Sequence, residues 1–520
     1  MKTFIHSSLV LPILAVLLFL SSCGSGDRDI FRIMPEETTG VVTFNPKNLV
    51  EKGKLGELDF IKEAANNNKI IEKIINDPKS TGIRMSSYSA FFVFDKNPTY
   101  GCMVVPLDNK TDFRSFLSDI EKEADTKFEE GDLGSYKSLK LQNVVIAWNN
   151  KVAFVLSSFS GWGGNGIDSV ALALTKTKRS ESLLTDKDFN KFLVRQRDIN
   201  AWLTSTNLAN MVGIGEMGGL MDMFGGLKNN YGHLFVEFQK GAMSIVSNLR
   251  LNASMKETID KYNFLDRDAG KNLLKYLPAK DVFFVGNTNV DPEKLLSLMQ
   301  FINKQAGINI DALQKKFGLD EEDLKKAFQG EVAFSVNGIR KSPATKESDI
   351  YGDSSFSKNM PVFVGAVRLQ NEKAWTILTQ KLEEETGITQ KNGYYSLAEN
   401  FAPVFMAEKD KNVIISNSED YIGEIVKKGE IKDNVTSTSF ADILTKDPIC
   451  FYVNLDAKNY SKEMQDYIEE RMGSEVNMGI ESFGKSLKSL SVTANLEEWE
   501  FRLELNNTEE NSLYALLKDL

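Results

Sequence analysis

The side chains that could carry chemistry are few, and most lie in settings that disarm them. Beyond position 22 there is one imidazole, His233, in the strand-like run HLFVEF next to Gly232. No G-x-S-x-G elbow occurs, so His233 reads as a satisfied strand or turn histidine and not as the base of a nucleophilic triad. Two thiols, Cys102 in YGCMVVPL and Cys450 in DPICFYVNL, fall in apolar runs. Buried free thiols are expected there, with a disulfide between them as the alternative in an oxidising compartment. No Cys/His spacing suits zinc. Gly213-Ile214-Gly215-Glu216-Met217-Gly218 is a literal G-x-G-x-x-G, but NLANMV precedes it and GGLMDMFGGLKNN follows. No βαβ unit frames it, as dinucleotide binding requires. Asp266-Arg267-Asp268-Ala269-Gly270 starts like a calcium loop, yet its glycine comes one place early and Leu277 stands at position twelve. No metal and no cofactor are expected.

Two segments read as contact surfaces. Trp162 sits in the turn-like SGWGGNG, where an indole could stack on a partner or anchor the loop. Met211, Met217, Met221 and Met223 stud a Gly-Met run whose thioethers would repack easily against an apolar partner. The chain has 72 acidic residues. Paired carboxylates for glycoside hydrolysis meet in space and not in sequence, so a carboxylate-based hydrolase of polysaccharide stays open as an alternative. A lipid-handling module with the Gly-Met run as a flap is another.

The most sharply placed thiol is Cys23. Lys2 precedes an apolar run, LVLPILAVLLFL over residues 9–20, and Leu20-Ser21-Ser22-Cys23 follows. Such a run is too short to span a bilayer, which takes about 20 residues, and has the flanks of a secretory signal. The residues LSSC resemble the lipobox of bacterial lipoprotein precursors. The resemblance implies that residues 1–22 are removed and that lipid on Cys23 holds the chain to a membrane, with residues 23–32 as tether. Gly24 following the cysteine resembles lipoproteins released to the outer membrane, on its periplasmic or its surface leaflet.

Without residues 1–22 the formal charge moves from -10 to -11, which argues against nucleic acid as a partner. Hydrophobic content of 42% with 33 phenylalanines supplies folded cores, and the length calls for two or more domains. Apolar blocks recur in order. IMPEETTGVVTFNPKNL resembles YLPAKDVFFVGNTNVDPEKL, and YKSLKLQNVVIAWNNKVAFVLSS resembles YYSLAENFAPVFMAEKDKNVIISNS. Pro35 to Pro278, Phe113 to Trp375, Phe189 to Phe440 and Asn252 to Asn506 keep offsets of 243, 262, 251 and 254. The expected fold is α+β in two pseudo-repeated halves, 33–252 and 276–520, each of antiparallel sheet carrying helices, with 253–275 as connector. Hairpins are expected through Asn149-Asn150 and through Gln239-Lys240-Gly241. One helix face should hold Leu58, Ile61, Ala65, Ile70, Ile74 and Ile75, another helix should start at a Thr111 cap, and Trp148 and Phe405 should mark corresponding strand ends.

With the lipobox, the proline-led strand closed by Asn and the later "DI-aromatic-L" block, the chain resembles an uncharacterised lipoprotein family of Bacteroidetes, a domain of unknown function. That resemblance brings no catalytic residues. The expectation is a non-enzymatic envelope lipoprotein that binds or scaffolds a protein or glycan partner.

Overall fold

The computed structural model describes residues 28–96, 98–158, 166–204, 229–265, 267–298, 328–341, 359–386, 390–397, 403–467 and 486–518. The protein is α+β, with antiparallel strands and helices in two compact units. One unit holds residues up to Asn252 together with Asn507–Leu520; the other holds Ala253–Asn506.

Several strands of the first unit, such as YGCMVVP and VVIAW, are apolar at successive positions, as strands buried on both faces of a sheet are. Ten strands of this unit are described. They are β1 (Thr38–Phe44), β2 (Ser89–Asp95), β3 (Thr99–Pro106), β4 (Glu129–Leu133), β5 (Tyr136–Leu141), β6 (Val144–Trp148), β7 (Val152–Ser158), β8 (Ile199–Thr204), β9 (Tyr231–Gln239) and β10 (Ala242–Arg250). They pair in the order β10-β9-β8-β1-β2-β3-β7-β6-β5-β4, antiparallel throughout. Both faces are covered. Val41, Phe92, Cys102, Val104, Phe154 and Trp202 point to one core, which includes Ala171 and Leu174 of helix Ile167–Lys176 and Phe189 and Phe192 of helix Lys187–Val194. Met103, Val105, Ile146 and Trp148 point to the other, under Ile70, Ile74, Phe113, Phe116 and Leu117.

The second unit has ten described strands of its own: β11 (Val282–Asn289), β12 (Phe328–Lys341), β13 (Asn359–Leu369), β14 (Gln390–Lys391), β15 (Tyr394–Leu397), β16 (Val404–Lys409), β17 (Asn412–Ser416), β18 (Ile449–Asn454), β19 (Leu487–Ala494) and β20 (Glu498–Leu505). Their order is β20-β19-β18-β11-β12-β13-β17-β16-β15-β14, again antiparallel. Val285, Ala333, Val364, Ile414 and Cys450 form its core with Ile422 and Ile425 of helix Glu419–Lys428. At the centre, Gly286 pairs with Phe334 on one side and Phe451 on the other. A Cβ at 286 would stand 2.5 Å from the Phe334 ring and 3.0 Å from that of Phe451, so only glycine lets both rings lie over this strand.

Several local expectations need correction. The long helix over 58–75 is two helices, Asp59–Asn67 and Lys69–Asn76, because the Asn68 side chain accepts hydrogen bonds from Ile70 N and Ile71 N and starts a new helix there. Asn109, not Thr111, caps helix Lys110–Glu123, accepting from Thr111 N at 2.8 Å and Asp112 N at 3.3 Å. Trp148 is the last residue of β6, whereas Phe405 is the second of β16. The two aromatics match in type but stand at different distances from their turns, and register is counted from the turn.

The hairpins β6–β7 and β9–β10 form where Asn149-Asn150 and Gln239-Lys240-Gly241 stand. Cys102 and Cys450 are buried free thiols. Residues 253–275 do not stand apart as a connector but belong to the second unit: Gly270 O and Asp268 O accept from the side chains of Asn287 and Asn289, and Leu273 and Leu274 enter its core. Residues 507–518 belong to the first unit and not to the second half in which the repeat pattern placed them. Gly241 N donates to Glu510 O at 2.9 Å, and Asn511 Nδ2 donates to Phe238 O. Gly241 has a φ of +68°, and a Cβ there would meet Thr508 Cα at 2.8 Å.

Candidate functional site

A cleft of about 540 Å³ opens in the first unit between the start of helix Lys110–Glu123, the β4–β5 hairpin and the end of β6. The helix is fixed from below. Phe113, Phe116, Leu117 and Ile120 are buried, and Phe113 meets the Trp148 ring edge-on with centroids 5.9 Å apart. The same helical period then turns Lys110, Thr111 and Arg114 toward the cleft. The opposite wall is the hairpin, where Asp132 faces Lys137 directly across the strands and Gly131 faces Ser138. Trp148 completes the lining and is itself 6% exposed.

Arg114 organises the cleft. One guanidinium nitrogen, Nη1, donates to Ser118 Oγ at 2.7 Å and Glu121 Oε2 at 3.1 Å; Nη2 donates to Glu130 Oε1 at 2.6 Å. Glu121 in turn accepts from Phe128 N through Oε1, so the helix end and β4 are tied through one carboxylate. Lys137 Nζ lies 2.8 Å from Asp132 Oδ1. These pairs set the protonation states. The hydrogen bond and charge of Arg114 hold Glu130 below the usual carboxylate range. Burial works against the charge on Arg114, and Glu130 and Glu121 outweigh it, raising its pKa. Asp132 raises that of Lys137 in the same way.

The imidazole of His233 is a core group in a different place. Its Nε2 lies 2.6 Å from Asp188 Oδ2, which also accepts from Trp202 Nε1 at 3.2 Å. Tyr231 OH donates to Asp186 Oδ2 at 2.9 Å, and Asp186 Oδ1 caps helix Lys187–Val194. His233 is 2% exposed, lies among the rings of Phe192 and Phe235, and leaves Nδ1 without a partner. Burial pushes the Asp188 carboxyl up, but the bonds from His233 and Trp202 and the charge of Arg250 win, holding it low. Burial first, then Asp186, pushes the Tyr231 hydroxyl well up. Among the described residues no group of three or more His, Cys, Asp or Glu is placed to hold a metal ion. Nor is any described helix long and apolar enough to cross a membrane, which leaves strands aside.

A family profile matches residues 31–513, nearly the whole chain. The chain belongs to the DUF4836 family, a domain of unknown function. No curated protein matches it in sequence. Among solved structures, TP0453 in crystal form III is similar at 10% identity with a TM-score of 0.26, over 46% of this chain and 87% of its own. Crystal form I of TP0453 gives 10% identity and a TM-score of 0.25, over 48% and 90%.

Of the residues that the sequence of this DUF4836 member singles out, Cys23, Trp162, Met211, Met217, Met221 and Met223 lie outside the described residues. Of the cleft residues the sequence points only to Thr111 and Trp148, as a helix cap and a strand end and not as parts of a site. The missed signal is EEGDLGSYKS, a short charged run with Gly134-Ser135 at its middle, which folds as the β4–β5 hairpin and sets opposite charges across it.

Proposed function

We propose that this protein is an envelope lipoprotein of the Bacteroidetes type, held at the outer membrane by lipid on Cys23, that binds a ligand in the first-unit cleft without transforming it. The observation that carries the binding reading is the state of the cleft carboxylates. Glycoside hydrolysis needs one carboxyl with a raised pKa to act as general acid. Here Arg114 holds Glu130 ionised, so it is not prepared to give up a proton at neutral pH, and Asp132 is ion-paired with Lys137. What such walls offer is fixed donors and acceptors in a concave site, the equipment of recognition.

The N-terminal LSSC supports the anchor. Cys23→Ala should abolish incorporation of labelled fatty acid and release the chain from membranes; continued labelling of that variant removes the anchor from the proposal. Binding without turnover is checked by mass spectrometry, since a bound ligand should be recovered unchanged after long incubation.

We also infer that the two units arose by duplication. The strand orders support it, as do two matching bridges, Pro35 with Ser182 and Pro278 with Asn434. Beside them Leu183 N donates to Met34 O, and Val435 N to Leu277 O, both at 2.9 Å.

A further inference from the structure

We propose that the first-unit cleft takes a neutral, hydroxyl-rich ligand, an oligosaccharide, held by hydrogen bonds to charged groups that stay paired with one another. This rests on reading the cleft as a binding site and adds the chemical class of what it binds.

The charges decide among ligand classes. Lys110, Arg114 and Lys137 and the start of a long helix would by themselves suit an anion, but Glu130 and Asp132 of the hairpin already occupy Arg114 and Lys137. At Arg114 and at Lys137 an anion would have to displace a carboxylate while lying beside it, and Coulomb repulsion opposes that. A zwitterion would have to break both pairs to satisfy its two ends. A sugar hydroxyl breaks neither, because it donates and accepts at once. Each carboxylate uses one oxygen in its ion pair, Oε1 in Glu130 and Oδ1 in Asp132, and its second oxygen can accept from a hydroxyl. The Lys110 and Lys137 ammonium groups and Thr111 complete the set. Hydrogen bonds to charged partners are about twice as strong as neutral ones, so this wall can hold an uncharged molecule firmly.

Two further features fit. Trp148 gives the cleft an apolar lining element, and a pyranose presents an apolar C–H face beside its polar rim. The volume, about 540 Å³, is in the range of small-ligand sites and the cleft is open, so a chain can continue out of it. The walls are also prepared in advance. Arg114 is locked by three acceptors and Glu121 by two donors, so little side-chain freedom is lost on binding.

The test is titration calorimetry on the full chain in detergent. The panel holds neutral gluco-, manno- and xylo-oligosaccharides, inorganic phosphate, a galacturonate oligomer and a zwitterionic dipeptide. We expect saturable binding of at least one neutral oligosaccharide, weakened about tenfold or more by Arg114→Met and by Lys137→Met. Both variants should keep the wild-type far-ultraviolet circular dichroism. Binding of phosphate, the galacturonate or the dipeptide, lost in the same variants and without any neutral binder, overturns the ligand class and leaves the cleft a binding site. No binder in the panel, or binding that both variants leave unchanged, overturns the proposal and takes the cleft reading with it.

Discussion

Helix Lys110–Glu123 in the first unit and helix Glu372–Thr386 in the second begin alike and end up facing different things. An asparagine accepts from the amide two residues on in each, Asn109 from Thr111 N and Asn371 from Lys373 N. Four residues after the asparagine comes an aromatic that packs edge-on against another ring: Phe113 on Trp148, and Trp375 on Tyr395. In the first unit the helix then meets a hairpin carrying Glu130, Asp132 and Lys137, and a cleft stays open between them. In the second, Trp375 packs onto a cluster of Leu369, Tyr395, Met406 and Val413. One backbone corner thus borders a cleft in the first unit and a small core in the second, with Lys137 and Tyr395 at the same place on the second strand of the hairpin. The difference teaches that one frame can carry a charged wall or an aromatic one, and that a few side chains decide which.

The same contrast recurs elsewhere and gives the largest expected effect. Where the first unit buries Trp202 with Asp188 and His233, the second stacks Phe440 on Tyr452 at 3.9 Å. Asp188→Ala leaves a buried imidazole and an indole N–H without their acceptor and should cost about 3 kcal/mol in urea denaturation. A loss below about 1 kcal/mol would show that the polar cluster is not what holds this corner. The pH dependence has a fixed sign. The Asp188 carboxyl titrates below its unfolded value, so its contribution is complete above roughly pH 4. It is lost as pH falls through the folded value, because the unfolded chain takes up the proton first. Asp188→Asn should flatten that part of the acid-stability curve and leave stability near neutral pH without this pH slope.

Next in size is Gly286→Val, which puts in the second unit the residue type of Val42 at the centre of β1. The Phe334 and Phe451 rings leave no room for it, and overpacking of this kind costs about 1–3 kcal/mol. Phe334→Ala in the same chain should recover part of the loss if the clash is the cause. Smaller still, Asn109→Ala and Asn371→Ala should each cost about 1 kcal/mol, as capping side chains do. Unequal losses would mean that the two helix starts are less alike than their bonds suggest. Last, Lys137→Ala should leave the urea midpoint unchanged, since its ion pair is solvent-exposed, while weakening any ligand of the cleft.

Hairpins were legible in sequence because Asn-Asn and Lys-Gly force the chain to reverse whatever lies around them. Thiols in apolar runs were legible as buried groups for the same local reason. The helix break at Asn68 was not, since a side chain that caps one helix looks, in sequence, like one more polar residue on a helical face. The cleft was not legible as a site: Arg114, Glu130 and Lys137 come from three elements, and only the fold of β4 onto β5 beside the helix brings them together. The placing of residues 507–518 was equally hidden, because Asn511 carries no apolar pattern and acts through single hydrogen bonds.

That last segment sets an order of events during synthesis. Helix Ser512–Leu517 seals the first unit with Ser512 and Ala515 buried, yet the whole of Ala253–Asn506 is made before it. At about 5–20 residues per second, the delay is on the order of 10–50 s. For that time Phe238, in the core beneath the hairpin, keeps its carbonyl without the Asn511 amide and Gly241 N–H has no Glu510 to bond. The unit that begins first is therefore finished last, and a nascent chain leaves it incomplete while its neighbour is being made.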